Sequence, residues 1–244
     1  MGGHLKGLIQ RLAHFLFPIT CSGCGKALGH DDHYRVCTSC LKEVKFIEGL
    51  FCKKCGIPLQ DGGAHCWYCR KNPKVHYELI RSVTEYTGVI KDLLIKLKFH
   101  NKDFLERFIG RLLITGIDKY PELSEQNVDY IVPVPLHWAK KIKRGYNQAE
   151  LLARPVSEYL KKPLMLKWLK RGRFTKAQFH LKREDRIKNL ENSFTAELPK
   201  TYKGARILLV DDICTTGTTI EQCALALKRA GSGKIYALTV ARDI

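Results

Sequence analysis

The chain of 244 residues lacks any apolar run long enough to cross a membrane, and it is poor in acidic residues. A membrane-spanning helix needs about 20 consecutive apolar residues, so the sequence predicts no such span. The opening segment, MGGHLKGLIQRLAHFLFPIT, lacks the small-residue cleavage site of a signal peptide, and Lys6 breaks the myristoylation pattern. We therefore expect a cytoplasmic protein. Residues 1–19 are predicted to form a helix that packs on the body of the protein, in preference to one on a membrane surface.

The scarcity of acids leaves a strong excess of positive charge. Lysine and arginine number 42 against 24 aspartates and glutamates, a formal net charge of +18. Much of this excess lies between Lys140 and Lys188, where sixteen basic residues face four acids. Such a block is typical of a site for a polyanionic small molecule, of a nucleic-acid surface, or of a solvated basic surface. Charge alone does not distinguish these three interpretations.

Eight of the ten cysteines form four Cys-x2-Cys pairs within residues 20–72, and this pattern predicts a double zinc ribbon. Two such pairs complete a closed tetrahedral site, which indicates two structural Zn²⁺ ions. Sequential pairing of neighbouring knuckles closes shorter loops than a crossed arrangement, and we favour it. The nearby His30, His33 and His65 are interpreted as surface residues. The predicted ligands are Cys21, Cys24, Cys37, Cys40, Cys52, Cys55, Cys66 and Cys69.

After the ribbons, β-type and helical patterns alternate, and this order predicts a parallel α/β sheet. Strands are predicted over 79–86, 130–135, 206–210 and 234–241. Helical spacing runs over 88–112, with a break near His100 and Asn101, and over 148–160. Leu136–Gly145 is predicted to be a cationic loop, and 165–169 a short strand or a helix end. In parallel sheets, ligands bind at the carboxyl ends of strands, so the segments after Pro135 and Val210 are expected to converge.

The most informative stretch is RILLVDDICTTGTT, residues 206–219. It predicts a buried strand of five residues, an acid pair at its carboxyl end, and a hydroxyl-rich turn leading into a helix. The acids suit sugar hydroxyls, while backbone N–H groups and hydroxyls at a helix start suit a phosphate. Gly217 allows close approach of the backbone to the ligand. The predicted ligand-binding residues are Asp211, Asp212, Thr215, Thr216, Gly217, Thr218 and Thr219.

This stretch resembles the phosphoribosyl-pyrophosphate (PRPP) motif of type I phosphoribosyltransferases. With the ribbons, Phe17-Pro18, Leu97-Lys98-Phe99, VPVPLH at 132–137, RGYNQ at 144–148 and the pattern of Thr175–Asn189, nearly the whole chain resembles the ComF/GntX family. The resemblance implies a type I phosphoribosyltransferase fold over 76–244, a ligand of PRPP with Mg²⁺, and a role in DNA uptake and natural competence. It also implies that Thr175–Asn189 is the mobile part that covers the site.

By the same resemblance, the loop after Pro135 would face the pyrophosphate. The polar groups implied there are His137, Lys143, Arg144, Gln148 and Arg186, with Arg183 as an alternative to Arg186. An exposed basic helix accounts for the lysines and arginines of the covering segment equally well.

Three function hypotheses remain open from the sequence. The first is a phosphoribosyltransferase whose acceptor the residues do not identify; the chain has no N-terminal catalytic cysteine and no glutaminase domain. The second is a binding module for single-stranded DNA or competence-machinery proteins, in which PRPP is bound but not turned over. The third is a protein whose site has decayed, which the intact acid pair and threonine loop argue against. Aromatic residues that suit base stacking are Trp138, Tyr146, Trp168, Phe174 and Phe179.

Overall fold

The computed structural model describes residues 18–29, 32, 34–60, 62–99, 102–172 and 193–244. The α-helices within these ranges are α1 (Thr38–Lys42), α2 (Trp67–Lys71), α3 (Gly88–Phe99), α4 (Glu106–Lys119), α5 (Trp138–Arg144), α6 (Gln148–Leu160) and α7 (Thr218–Arg229). The strands are β1 (Leu79–Glu85), β2 (Tyr130–Pro133), β3 (Leu169–Arg171), β4 (Phe194–Ala196), β5 (Ile207–Cys214) and β6 (Ile235–Arg242).

The main sheet is parallel and has the strand order β1-β6-β5-β2 within the described residues. Strands β5 and β6 lie at its centre, and every residue of β6 is buried. Pro133, the last residue of β2, pairs with Val210 of β5, so β2 ends beside the residue that precedes the predicted acid pair. This edge of the sheet is where parallel α/β proteins bind their ligands.

Both faces of the sheet are covered. Successive side chains of a strand point to opposite faces. Leu208 and Val210 pack into one apolar cluster with helices α3, α4 and α6, whereas Ile207 and Leu209 pack into a second cluster with α7 and the antiparallel strands β3 and β4. Because both faces are buried, the strands are nearly continuous runs of apolar residues.

The cysteine-rich segment covers the β1 edge of the sheet. The Ile80 backbone N–H donates to the Lys54 carbonyl at 2.8 Å, and the Ile47 N–H donates to the Val83 carbonyl at 2.9 Å. These bonds pair backbone groups that an edge strand otherwise leaves open. The boundary predicted between residues 20–72 and 76–244 remains a prediction, and the two parts share this backbone contact.

The predicted alternation of strands and helices in a parallel sheet is confirmed, with two corrections near the ligand edge. The segment 136–145, predicted to be a loop, contains helix α5. His137 caps this helix by accepting from the Ala139 N–H at 3.2 Å, and Gly145 ends it with φ +84°. The motif strand, predicted to end at Val210, continues to Cys214 because its last residues pair with β6. The predicted helix at 1–19 lies almost wholly outside the described residues.

The segment 165–169 also differs from its prediction. The Met165 N–H donates to the Ile131 carbonyl, and the short strand β3 begins only at Leu169, where it pairs with β4. In the part of the chain that the structure describes, no helix has both the length and the apolar character to cross a bilayer.

Gly56 provides a test of how the second ribbon is held against the sheet. Gly56 has φ +72°, and a Cβ there would lie 2.5 Å from the Ile80 carbonyl oxygen, whereas the equivalent Gly25 of the first ribbon has φ +77° and open space around it. We expect Gly25→Ala to lower the free energy of unfolding by about 1–2 kcal/mol through backbone strain alone. Gly56→Ala should cost about 1–3 kcal/mol more, because the ribbon must move away from β1. Urea unfolding of the zinc-loaded proteins measures both losses, and equal losses would contradict the contact.

Candidate functional site

The predicted acid pair lies inside β5, near its carboxyl end. Asp211 and Asp212 are 8% and 4% exposed. The Asp212 backbone N–H donates to Asp211 Oδ1 at 2.9 Å, and the Ile213 N–H donates to Asp212 Oδ1 at 3.0 Å. These bonds fix both carboxyl groups at the ligand edge of the sheet.

Lys98 is the cationic partner of this pair, a role that the sequence analysis did not predict. It comes from the last turn of α3, its side chain is 16% exposed, and its Nζ lies 2.5 Å from Asp212 Oδ2. A buried charge is tolerated when such a partner compensates it. The only sequence signal was the place of Lys98 within Leu97-Lys98-Phe99. This tripeptide belongs to the family pattern, but it does not indicate which group Lys98 contacts.

The two carboxyl groups differ in their electrostatic environment. Burial raises the pKa of Asp211 well above its ordinary value, and the neighbouring charge of Asp212 adds to this effect. Burial acts in the same direction on Asp212, but the Lys98 ammonium, reinforced by Arg144, holds its pKa below the ordinary value. The pair therefore combines one carboxylate, Asp212, whose charge is stabilised by Lys98, with one carboxyl group, Asp211, whose charged form is destabilised by burial.

The threonine-rich turn connects β5 to helix α7. Gly217 has φ +80°, a conformation that L side chains rarely adopt, and it caps α7. Thr216 Oγ1 and Thr218 Oγ1 lie 2.7 Å apart, and the Thr218 N–H donates to Thr216 Oγ1 at 3.4 Å. The turn thus places hydroxyl groups and the first N–H groups of a 12-residue helix beside the acid pair. Such a helix start favours a phosphate group.

A cluster of four cations surrounds the acid pair: Lys98, Lys140, Arg144 and Arg171. The pKa of Lys140 is lowered by burial and by the charges of the other three. Burial lowers the pKa of Arg144, and the charge of Asp212 acts in the opposite direction. Cations that are partly buried and repel one another are stabilised by an anion placed among them.

Packing and hydrogen bonds orient two members of this cation cluster. The guanidinium of Arg144 lies 5.3 Å from the centre of the Phe99 ring and donates to Gln148 Oε1. The guanidinium of Arg171, from β3, lies 5.3 Å from the centre of the Phe194 ring. The sequence did not single out Lys140 or Arg171, because neither residue type nor spacing distinguishes them within the basic block.

Of the residues predicted for the pyrophosphate side, some lie near the acid pair and others do not. Arg144 lies close enough to Asp212 to perturb its pKa, and Gln148 is buried behind Arg144. His137 is 3% exposed and accepts from the Ala139 N–H, which makes it a helix cap, and Lys143 is exposed. Arg186, Arg183 and the predicted covering segment lie outside the described residues. The ligand roles of all these residues remain predictions.

The cysteines form two groups of four, and within each group the sulfur atoms all lie within 4.8 Å of one another. Within the first group, the sulfur–sulfur distances Cys21–Cys40 and Cys24–Cys37 are each 3.7 Å, and within the second group Cys55–Cys66 is also 3.7 Å. Thiolates at about 2.3 Å from a tetrahedral Zn²⁺ lie about 3.8 Å apart, so the donor set fits zinc. The grouping is sequential: Cys21, Cys24, Cys37 and Cys40 in one site, and Cys52, Cys55, Cys66 and Cys69 in the other.

These are closed sites of four sulfur ligands, which hold zinc as a structural ion. His65 is exposed and belongs to neither group, while His30 and His33 lie outside the described residues. Of the two remaining cysteines, Cys223 is buried in α7 and Cys214 ends β5.

Arg242 connects the second ribbon to the threonine-rich turn. Its guanidinium Nη1 donates to the Cys55 carbonyl at 2.6 Å and to Cys214 Sγ at 3.1 Å. Cys214 immediately precedes the turn, and Arg242 itself is 2% exposed. One buried side chain therefore contacts both a zinc knuckle and the residue from which the turn begins.

Two family models match the chain: a double zinc ribbon domain over residues 12–70 and a phosphoribosyl transferase domain over residues 127–243. The chain is 30% identical to competence protein F of Haemophilus influenzae, over 93% of this chain and 98% of that protein. It is 31% identical to the DNA utilization protein YhgH of Salmonella typhimurium, over 87% of this chain and 92% of that protein. Competence protein ComFC of Bacillus subtilis is 28% identical, over 86% and 85% respectively. The predicted phosphoribosyltransferase fold with an N-terminal double zinc ribbon is confirmed.

The sequential grouping of the cysteines can be tested by zinc content. Cys21→Ser/Cys40→Ser removes two ligands from one site if the pairing is sequential, but one ligand from each site if it is crossed. We expect the purified wild type to hold two zinc ions per chain and this variant to hold one, measured by mass spectrometry of the metal. Cys21→Ser/Cys24→Ser is the matched control, because it empties a single site in either arrangement. A Cys21→Ser/Cys40→Ser protein without zinc would overturn the sequential grouping.

Proposed function

The chain belongs to the family of competence protein F, ComFC and YhgH, as its sequence predicted, and on this premise we propose that it binds PRPP together with Mg²⁺ at the carboxyl edge of its sheet. The observation that carries the proposal is the acid pair of β5, buried between a helix start that suits a phosphate and a cluster of four cations. PRPP contains the matching groups: two ribose hydroxyls, a 5′-phosphate and a pyrophosphate.

The acid pair suits the ribose ring. Asp212, ionised beside Lys98, accepts hydrogen bonds from sugar hydroxyls, and hydrogen bonds to a charged acceptor contribute about 1.5–3 kcal/mol each. Asp211, buried beside it in the same strand, offers its carboxyl oxygens to a second sugar hydroxyl. The 5′-phosphate then lies at the threonine-rich turn, where Gly217 leaves room for its approach and α7 supplies N–H groups.

The cation cluster suits the pyrophosphate. Lys140, Arg144 and Arg171 have lowered pKa values for which burial is the first cause, so an incoming polyanion stabilises their charged forms. The same cations stabilise pyrophosphate as a leaving group, which is the electrostatic requirement of phosphoribosyl transfer. The residues named here account for binding and for leaving-group stabilisation, and none of them identifies an acceptor.

The oxygen ligands at this edge fit Mg²⁺. Magnesium in proteins is held by one or two carboxylates together with substrate phosphates, and Asp212 provides such a carboxylate beside the cation cluster. When bound, the ion neutralises charge on the pyrophosphate and orients it.

The relatives' names connect them with competence and DNA utilization, and we propose the same setting for this protein. Single-stranded DNA is the second candidate ligand, and helix α5 favours it. Trp138 is 64% exposed on a helix that also carries the exposed Lys141 and Lys143, a combination that suits base stacking beside phosphates. The other aromatic candidates differ: Trp168 is buried against Tyr130 and Tyr202, Tyr146 donates to the Leu97 carbonyl, and Phe174 and Phe179 lie outside the described residues.

Calorimetric titration of the zinc-loaded protein with PRPP and Mg²⁺ tests the proposal. We expect micromolar binding by the wild type and at least about a 100-fold loss in Asp211→Asn/Asp212→Asn, since two charged or polar acceptors for sugar hydroxyls are weakened. Asp92→Asn, an exposed carboxylate on α3, is the matched control and should bind as the wild type does.

The same variants separate the two ligands. We expect single-stranded DNA affinity to fall steeply with salt and to be equal in the wild type and the acid-pair variant. Loss of both ligands together in the acid-pair variant would argue against separate sites. Absence of PRPP binding by folded, zinc-loaded wild type would refute the proposed function.

A further inference from the structure

Each carboxylate oxygen of Asp212 contacts a partner, Oδ1 through a hydrogen bond and Oδ2 through an ion pair that lacks hydrogen-bond geometry. Oδ1 accepts from the Ile213 backbone N–H at 3.0 Å, and Oδ2 lies 2.5 Å from Lys98 Nζ. Lys98 and Asp212 have side chains that are 16% and 5% exposed, so water screens their attraction weakly. A divalent cation that approaches Asp212 therefore meets a carboxylate already neutralised by an ammonium, and the two cations repel each other.

Lys98 is also close to the other cations of the site. Its charge acts on Asp212, and it is one of the three charges that act on Lys140. The ammonium ends a flexible four-carbon side chain and has three donor hydrogens. It can therefore turn from one acceptor to another without losing its hydrogen-bonding capacity. Lys98 therefore lies within electrostatic reach of both the acid pair and the cations proposed to hold pyrophosphate.

We propose that Lys98 takes the place of the ligand's divalent cation in the free protein, and that it turns to the pyrophosphate group when the cation arrives at Asp212. This inference rests on the proposed function and extends it by a positioning residue. The exchange keeps the buried carboxylate neutralised in both states. It also makes the free protein a poor site for a divalent cation alone, so that cation and pyrophosphate are bound together.

Loss of the ammonium then has opposite effects on two ligands. Without Lys98, the carboxylate of Asp212 is free to bind a divalent cation, so the affinity for the cation alone rises. The pyrophosphate loses one of its cationic partners, so its affinity falls. A lysine that served only to stabilise the fold would not produce changes of opposite sign.

The experiment compares wild type, Lys98→Met and Lys91→Met as full-length, zinc-loaded proteins. Lys91 is exposed on the same helix and is the matched control. Mn²⁺ is titrated alone and followed by the electron paramagnetic resonance of the free ion, and magnesium pyrophosphate is titrated by calorimetry. We expect Lys98→Met to bind Mn²⁺ at least tenfold more tightly and magnesium pyrophosphate at least tenfold more weakly, with Lys91→Met unchanged.

An Mn²⁺ affinity that is unchanged or lower in Lys98→Met would overturn the exchange at Asp212, and an unchanged pyrophosphate affinity would overturn the move to the ligand. Lys98→Arg, which keeps the charge, should bind Mn²⁺ as weakly as the wild type does. If Lys98→Met does not fold, Lys98→Gln replaces it in both titrations. The Mn²⁺ arm needs no PRPP, so it decides the role of Lys98 even where the PRPP titration refutes the proposed function.

Discussion

The burial of two adjacent carboxyl groups in a central strand is the constraint on which the rest of the site depends. Strand β5 has a neighbour on each side and a packed layer on each face, so Asp211 and Asp212 are removed from bulk water. A pair of this kind cannot hold two full charges without compensation. In this site, Lys98 forms an ion pair with Asp212, and burial raises the pKa of Asp211. The cations around the acid pair repel one another, and an anionic ligand bound among them would reduce that repulsion.

The zinc ribbons are part of this arrangement, because they pack directly on the sheet. Backbone bonds from the cysteine-rich segment pair with β1, and Gly56 approaches the Ile80 carbonyl too closely for any side chain. Arg242 then connects the Cys55 knuckle to Cys214 at the base of the threonine-rich turn. Zinc, by closing the knuckles, thereby supports both the edge of the sheet and the turn proposed to hold a phosphate.

Much of the fold and part of the site could be predicted from the sequence, because their signals are local. The cysteine spacing indicated two zinc sites, the apolar runs indicated a parallel sheet, and the acid pair with Gly217 marked the ligand edge. Lys98 and Arg171 could not be predicted, because each reaches the acid pair from a distant element and only tertiary packing brings it there. Helix α5 was missed because its lysines resemble a loop, whereas its cap depends on the side-chain conformation of His137.

The order of the strands has a consequence for synthesis of the protein. Among the strands that the structure describes, β6 comes last in sequence, yet it lies between β1 and β5 and pairs with both. On the ribosome, the cysteine knuckles and β1 emerge first and can pair with each other, and β2 can later pair with β5. Among the described strands, no backbone pairing joins these two halves of the sheet until β6 is made. The last of the described strands to be synthesised is thus the one that places Thr239 opposite Asp211 and closes the sheet beside the charged site.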